Sequence, residues 1–131
     1  MIETIEVKIS NEHEETPASR LILDFEIAYA KFDIPGMMKL MSEDCVLEVI
    51  GADFINGRAN VETYINQTEG LDLFYIHLKN IIVEKNHGVC WGSYKTKEGL
   101  RFAFSDIFTF QESSEGLLLS RISSYIIQSS T

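Results

Sequence analysis

The sequence predicts an α+β domain in which one curved antiparallel sheet wraps around helices from the N-terminal half. Three observations support this fold class. Apolar residues at helical spacing occur only before residue 68, long strand-like segments joined by turns follow, and 131 residues suit a single core. A curved sheet closed by a long helix leaves a cone-shaped interior in which a small ligand can bind.

The first residues are predicted to form an extension of the domain. Residues 1–16 alternate apolar and charged side chains and then become polar and turn-prone, so the domain itself is predicted to span 17–131. The start of the chain lacks the basic and apolar regions of a signal peptide, and no segment reaches the roughly 20 apolar residues of a membrane span. We therefore expect a cytoplasmic location.

Three helices are predicted from the spacing of apolar residues. From Ser19, a candidate N-cap, this spacing continues to Phe32 and predicts an amphipathic helix that ends near Asp33. Pro35 restricts the residue before it and suits the first turn of a short second helix that reaches Met41. Residues 58–67 are predicted to form the third helix.

Strands are predicted in the segments rich in β-branched and aromatic residues. Residues 45–51 form the first, and a turn at residues 56–57 follows it. Four long strands are predicted over 71–84, 89–97, 100–111 and 117–128, and glycine-containing turns separate them.

The composition excludes several partners. A formal net charge of −9 repels nucleic-acid phosphates and anionic lipid surfaces. Cys45 and Cys90 are far apart and show neither a CxxC motif nor zinc-ligand spacing, so they are interpreted as buried thiols in a reducing compartment. We expect no metal and no cofactor.

Asp106 is the candidate functional residue with the clearest sequence signal. Side chains alternate between the faces of a strand, so Asp106 shares one face with four aromatic rings. Those rings belong to Phe102, Phe104, Phe108 and Phe110. A carboxyl group in such surroundings must find a partner, shift its pKa upward or serve a ligand.

Three segments together resemble the nuclear transport factor 2-like superfamily. They are residues 31–34 at the end of the first helix, 42–48 at the entry to a strand and 56–58 at the start of a helix. The resemblance covers residues 19–128 and implies a cone-shaped, cystatin-like α+β barrel that often dimerises through the outer face of its sheet. Its members include ketosteroid isomerase, scytalone dehydratase, SnoaL-like polyketide cyclases and non-catalytic binding domains, so it indicates fold more than function.

The resemblance to ketosteroid isomerase is incomplete. Asp106 falls on the sheet aspartic acid that stabilises the enolate, whereas Phe25 stands at the tyrosine position and Val49 at the position of the base. Neither side chain can donate or accept a proton, so steroid isomerisation by that mechanism is not expected.

The other two enzymes are matched only in part as well. Tyr29 resembles the helix tyrosine of scytalone dehydratase and His77 one of its sheet histidines, but Ala30 replaces the aspartate and no second sheet histidine is present. The polyketide cyclases require a histidine late in the sheet, and none follows His87.

Several candidate residues have two interpretations. Pairing of Phe110 with Leu117 places Asp106 opposite Arg121 in an ion pair, and a protonated, hydrogen-bond-donating Asp106 is the alternative. Alternation places His77 on the outer face, and a β-bulge would turn it into the pocket.

The remaining candidates are assigned to the pocket, the core or the surface. Tyr29 is either a core aromatic or a pocket residue, and Trp91 either forms the pocket floor or fills the core. Glu48 alternates with two apolar neighbours and is interpreted as a surface carboxylate.

Three functions remain open. The first is binding of a small apolar or aromatic molecule, with contacts from Phe25, Val49, Trp91, Phe104, Arg121 and Tyr125. The second is a cofactor-independent lyase or isomerase of the dehydratase, isomerase or cyclase type that uses Asp106, Tyr29 and His77 as acid-base groups. The third is a structural homodimer formed through the sheet face.

Overall fold

The computed structural model describes residues 5–10, 15–68, 70 and 72–129. In chain order, these residues form β1 (Glu6–Ile9), α1 (Pro17–Ala30), α2 (Ile34–Met38), β2 (Met41–Val49), β3 (Asp53–Asn56), α3 (Arg58–Gln67), β4 (Leu73–Glu84), β5 (His87–Thr96), β6 (Arg101–Ser113) and β7 (Gly116–Gln128). The predicted α+β class is confirmed.

Helix α1 begins earlier than predicted. Its N-cap is Thr16, whose hydroxyl accepts a hydrogen bond from the Ser19 amide, while the Ser19 hydroxyl accepts one from the Thr16 amide. Ser19 is therefore not the N-cap but the second half of a capping box, and Pro17 suits the first turn because its missing N–H is not needed there.

The end of α1 adopts a Schellman geometry. The Phe32 amide donates to the carbonyl of Tyr29 and the Asp33 amide donates to that of Ala28, with Phe32 in the left-handed region at a φ of 54°. The Asp33 carboxylate then caps α2 by accepting from the Gly36 amide at 3.0 Å. The chain therefore turns sharply between the two helices.

The sheet has the order β1-β4-β5-β6-β7-β2-β3 over the described residues. Its β4 to β7 core is an antiparallel meander, as predicted, and β3 adds an antiparallel edge that was not predicted. Two pairs, β1 with β4 and β2 with β7, are parallel. The sheet is therefore mixed and not, as the sequence had predicted, entirely antiparallel.

The predicted extension contributes to this sheet. Within residues 1–16, Glu6–Ile9 forms strand β1 and pairs in parallel with β4, and the Ser10 amide donates to the carbonyl of Leu78. Residues 1–4 and 11–14 lie outside the described residues. No helix among the described residues is long and apolar enough to cross a membrane.

The core lies between α1 and the concave face of the sheet. Phe108 is fully buried and its ring meets that of Phe25 edge-on, with 5.7 Å between centroids. Phe104 and Phe110 are buried on the same face, whereas Ile107 on the opposite face is exposed. The predicted alternation of β6 is therefore confirmed, and it places Asp106 in the interior.

Candidate functional site

The curved sheet and helices α1 and α3 enclose a cavity of about 200 Å³. Its lining comes from both helices, from the loops that follow them, and from β2, β6 and β7, and it is mostly apolar or aromatic. The lining residues are Phe25, Tyr29, Phe32, Met41, Leu47, Val49, Tyr64, Ile65, Thr68, Gly70, Asp106, Ile122, Ser124 and Ile126.

Asp106 is the one charged residue among these lining residues. Its side chain is 7% exposed, and its Oδ1 accepts a hydrogen bond of 2.6 Å from the Ser124 hydroxyl. The two residues face each other directly across the β6–β7 pair. Such a short O–H···O distance is typical of a hydrogen bond to an ionised carboxylate.

The predicted ion pair between Asp106 and Arg121 is wrong. Pairing of β6 with β7 extends to Ser113 and Gly116, so Phe110 pairs with Leu119 rather than with Leu117, two residues away from the prediction. A β-bulge between Thr109 and Phe110 then shifts the register by one more residue. The combined shift is odd, and an odd shift moves a side chain to the other face of the sheet.

Arg121 consequently lies on the outer face of β7. Its guanidinium donates to Glu48 Oε1 at 2.8 Å and lies 5.6 Å from the centre of the Phe54 ring. The prediction that Glu48 is a surface carboxylate agrees with this geometry. Arg121 is also not among the residues that line the cavity, contrary to the prediction.

Glu26 is the site residue that the sequence prediction missed. It lies on α1 with a side chain that is 1% exposed, and it forms a hydrogen-bonded pair with Asp106. A signal was present, because Glu26 is four residues from both Ile22 and Ala30, which are buried on the same helix face. The glutamate thus interrupts an apolar stripe on α1, much as Asp106 interrupts one on β6.

The two carboxyl groups shift each other's protonation. Burial raises the pKa of Glu26 well above its usual range, and the charge of Asp106 and the hydrogen bond to it raise it further. Burial also raises the pKa of Asp106, although the hydrogen bonds with Glu26 and Ser124 oppose this rise. Glu26 is therefore the group that retains the proton and donates it toward Asp106.

Other titratable groups surround the pair and stay neutral. Burial, followed by the charges of Glu26 and Asp106, raises the pKa of the Cys90 thiol. Burial and then Asp106 raise the pKa of Tyr94 to about 12. Burial, followed by the charges of Tyr94 and Asp106, raises the pKa of Tyr29. These groups can donate hydrogen bonds at neutral pH, but they supply no positive charge.

One atom of the pair lacks a hydrogen-bond partner. Glu26 Oε1 is buried and unpaired, which is costly for a polar atom. A second cavity of about 10 Å³ lies beside it, between Ile76, Tyr94 and Phe104. The inner end of the site therefore has unused hydrogen-bonding capacity.

Aromatic rings and a glycine form the opposite end of the cavity. Phe32 is 38% exposed, and Tyr64 donates from its hydroxyl to Asp53 Oδ2 at 3.0 Å. Gly70, at a φ of 75°, packs so closely that a Cβ there would lie 3.1 Å from the Phe32 ring. These residues define the mouth of the cavity.

The predicted site residues separate by face. Phe25, Tyr29, Val49 and Asp106 line the cavity together. Phe104 is displaced from it and borders the smaller cavity beside Glu26.

Three predicted site residues do not reach the cavity. Trp91 and Tyr125 lie in one row on the outer face of the sheet because Cys90, Gly92 and Ser124, their neighbours in the chain, point inward. His77 alternates with buried Ile76 and Leu78 and is also outside, where its Nε2 lies 3.2 Å from the Ser10 hydroxyl. Burial and the charges of Lys8 and Lys79 lower the pKa of His77.

The cysteines and the acidic groups do not form a metal-binding cluster in the part of the chain that the structure describes. No group of three or more His, Cys, Asp or Glu side chains converges there. Cys45 and Cys90 are both buried free thiols, as the sequence predicts.

No family model and no curated protein matches the sequence. Several solved structures resemble it in fold. Nuclear transport factor 2 from Cryptosporidium parvum superposes with a TM-score of 0.72 at 13% identity, over 83% of this chain and 90% of that one. An NTF2-like protein of unknown function from Burkholderia xenovorans LB400 gives 0.72 at 15% identity, over 86% and 84%.

The chain has the nuclear transport factor 2-like fold. A ketosteroid isomerase-like protein from Erwinia carotovora atroseptica shares it with a TM-score of 0.64 at 17% identity, over 83% of this chain and 92% of that one. The family resemblance is thus confirmed at the level of fold. At such identities a shared fold does not establish a shared activity.

Proposed function

We propose that this nuclear transport factor 2-like domain binds a small, largely apolar molecule in its cavity, with Asp106 holding the polar group of the ligand. One observation carries the proposal: a buried carboxyl group stands at the end of an otherwise apolar and aromatic cavity. Ligand sites typically combine such walls with a few polar groups that fix orientation.

The volume of the cavity sets the size of the ligand. An apolar cavity of about 150 Å³ accommodates benzene. At about 200 Å³, this cavity suits a single ring with a short substituent. Phe25 and Val49 then contact the ring, while Asp106 and Ser124 contact the substituent.

A library of single-ring compounds tests binding by protein NMR. We expect chemical-shift changes at residues that line the cavity and their loss in Val49→Phe, which fills the space. Val89→Phe is the matched control, because Val89 is half-buried outside the cavity. Binding that survives Val49→Phe, or shift changes confined to the outer face of the sheet, would contradict the proposal.

A second candidate is acid-base catalysis on the bound molecule, as in a lyase or isomerase. Its support is the pair of carboxyl groups that share a proton beside the cavity, with Tyr29 nearby. Asp106, assisted by Glu26, would exchange this proton with the ligand. Solvent deuterium entering a bound ketone, and no such exchange in Asp106→Asn, is the expected result; equal exchange in both proteins rules out this candidate.

The outer face of the sheet supports a proposed homodimer. Ile107, Tyr125 and Ile127 are between 40% and 69% exposed on two adjacent strands, and such apolar surfaces often mark subunit interfaces. We expect Ile127→Lys to lower the sedimentation coefficient toward that of a monomer. Leu100→Lys, at the exposed turn before β6, is the control, and a monomeric wild-type protein would refute the dimer.

The proposed cytoplasmic location has chemical support. Cys45 and Cys90 are free and buried, as expected for thiols in a reducing compartment. Fractionation of cells followed by detection of the native chain tests the location directly.

A further inference from the structure

We infer that the ligand is a small organic amine, bound as its cation with the ammonium group on Asp106. This inference rests on the proposed binding function and specifies its ligand class. Three features of the cavity carry it: the direction of the hydrogen bonds at Asp106, the absence of a compensating cation among the described lining residues, and the aromatic walls.

The hydrogen bonds at Asp106 require a ligand there to be a hydrogen-bond donor. Ser124 donates to Oδ1 at 2.6 Å, and Glu26 is the protonated partner in the carboxyl pair. Asp106 accepts in both interactions, and a carboxylate has about four acceptor sites. A ligand that reaches Asp106 from the cavity must therefore donate a hydrogen bond, which favours an ammonium or hydroxyl group and disfavours a carbonyl or carboxylate.

Charge then favours the ammonium group. The described lining residues include no Lys, Arg or His. The four arginines on the lining elements lie elsewhere. Arg121 pairs with Glu48, and Arg58 donates to the carbonyl of Met41. Arg20 pairs with Asp24 at 3.2 Å, and Arg101 is exposed. A buried carboxylate without a cationic partner is costly, so a cationic ligand gains what these side chains do not supply.

The walls of the cavity suit a cation as well. Phe25 and Tyr29 stack with 6.4 Å between centroids, and Phe32 and Tyr64 stand at the mouth. Aromatic faces attract organic cations, and the attraction increases when the cation is desolvated. The net charge of −9 also favours the approach of cations over anions.

The inference predicts a specific pH dependence. The titratable groups facing the pair are Tyr29 on α1 and Cys90 and Tyr94 on β5, and all three have raised pKa values and remain neutral below pH 8. Protonation of Asp106 is then the step that competes with the amine. Amine affinity should fall as the pH falls through the pKa of Asp106, while binding of a neutral alcohol should not change.

Calorimetric titration of the full chain with four probes of similar size tests the inference. The probes are 2-phenylethylamine, 2-phenylethanol, propylbenzene and phenylacetate, each measured with the wild-type protein, Asp106→Asn and Glu26→Gln. We expect the amine to bind most tightly to the wild type and to lose on the order of thirty-fold in affinity in Asp106→Asn, because a buried charge partner is removed. Glu26→Gln retains a donor to Asp106 and should preserve the preference for the amine.

The other outcomes contradict either the amine assignment alone or the binding function as well. If the alcohol or propylbenzene binds as tightly as the amine at every pH, or if phenylacetate binds best, the amine assignment fails and the binding function stands. If none of the four binds, both fail. Should Asp106→Asn not fold, the pH profile of the wild-type protein decides, since amine affinity that does not depend on pH also refutes the assignment.

Discussion

Strand β7 carries two polar contacts that differ in almost every physical respect. Facing inward, Ser124 donates to Asp106, which is coupled to Glu26 in a buried pair of acids. Facing outward, Arg121 forms an ion pair with Glu48, and these side chains are 45% and 32% exposed. The inner contact depends on protonation and burial, whereas the outer one is a partly hydrated pair of opposite charges that salt can screen.

The largest expected difference between the two faces comes from adjacent residues of β6. Phe108→Ala removes a fully buried ring from the inner face and should lower the free energy of unfolding by about 3–5 kcal/mol. Ile107→Ala changes the exposed outer face and should cost less than about 1 kcal/mol. Urea denaturation of both variants measures the contrast. Equal losses would mean that the outer face is buried in solution.

The two glutamates allow a matched comparison of the polar contacts. Glu26→Ala removes the donor to Asp106 and should destabilise the protein by about 1–3 kcal/mol, because Asp106 stays buried with one partner fewer. Glu48→Ala should cost no more than about 1 kcal/mol. Thermal and urea unfolding at neutral pH give both values. A larger loss for Glu48→Ala would reverse the comparison.

The pH dependence of stability should report on the inner contact. The folded-state pKa of Glu26 is raised, so its favourable contribution is complete below the ordinary glutamate pKa of ~4.3 and is lost as pH rises through the folded-state value. Glu26→Gln should remove this decline, which amounts to at most about 1.4 kcal/mol per pH unit for one proton. Denaturation of the wild-type protein and Glu26→Gln between pH 4 and 8 tests it, and an equal slope in both proteins would contradict the assignment of this decline to Glu26.

The smallest effect concerns the outer pair alone. A double-mutant cycle on Glu48 and Arg121 should give a coupling energy of about 0.2–1 kcal/mol that decreases at high salt. A coupling that is unaffected by salt would indicate that this pair is shielded from solvent, as in a subunit interface.

The periodicity of apolar residues predicted the elements that form through interactions between residues close in sequence. The helix over 58–67 and the burial of alternate β6 side chains followed from periodicity, and both agree with the structure. The pairing of β1 with β4 could not be predicted. Strand β1 has only four residues, and its partner is far away in the sequence, so its local pattern does not identify that partner.

The partners of Asp106 depend on features of the fold that the periodicity of the sequence does not determine. Hairpin length and one bulge determine whether Arg121 or Ser124 faces Asp106, and both depend on tertiary packing. Glu26 was missed because a charged residue beside Phe25 is normally assigned to the solvated side of a helix, whereas here the boundary of the apolar face includes it. The sequence therefore identified Asp106 but not its partners.

The left-handed backbone of Phe32 has a kinetic consequence. Its ring is held at the cavity mouth by the hydrogen bonds that end α1, and Gly70 packs directly against it. Helix ends open far more readily than cores, so we expect the last turn of α1 to unwind, and the ring to move with it, before α1 separates from the sheet. For the proposed ligand, we therefore expect the rate of entry into the cavity to be set at the mouth and the residence time to be set by the contact with Asp106.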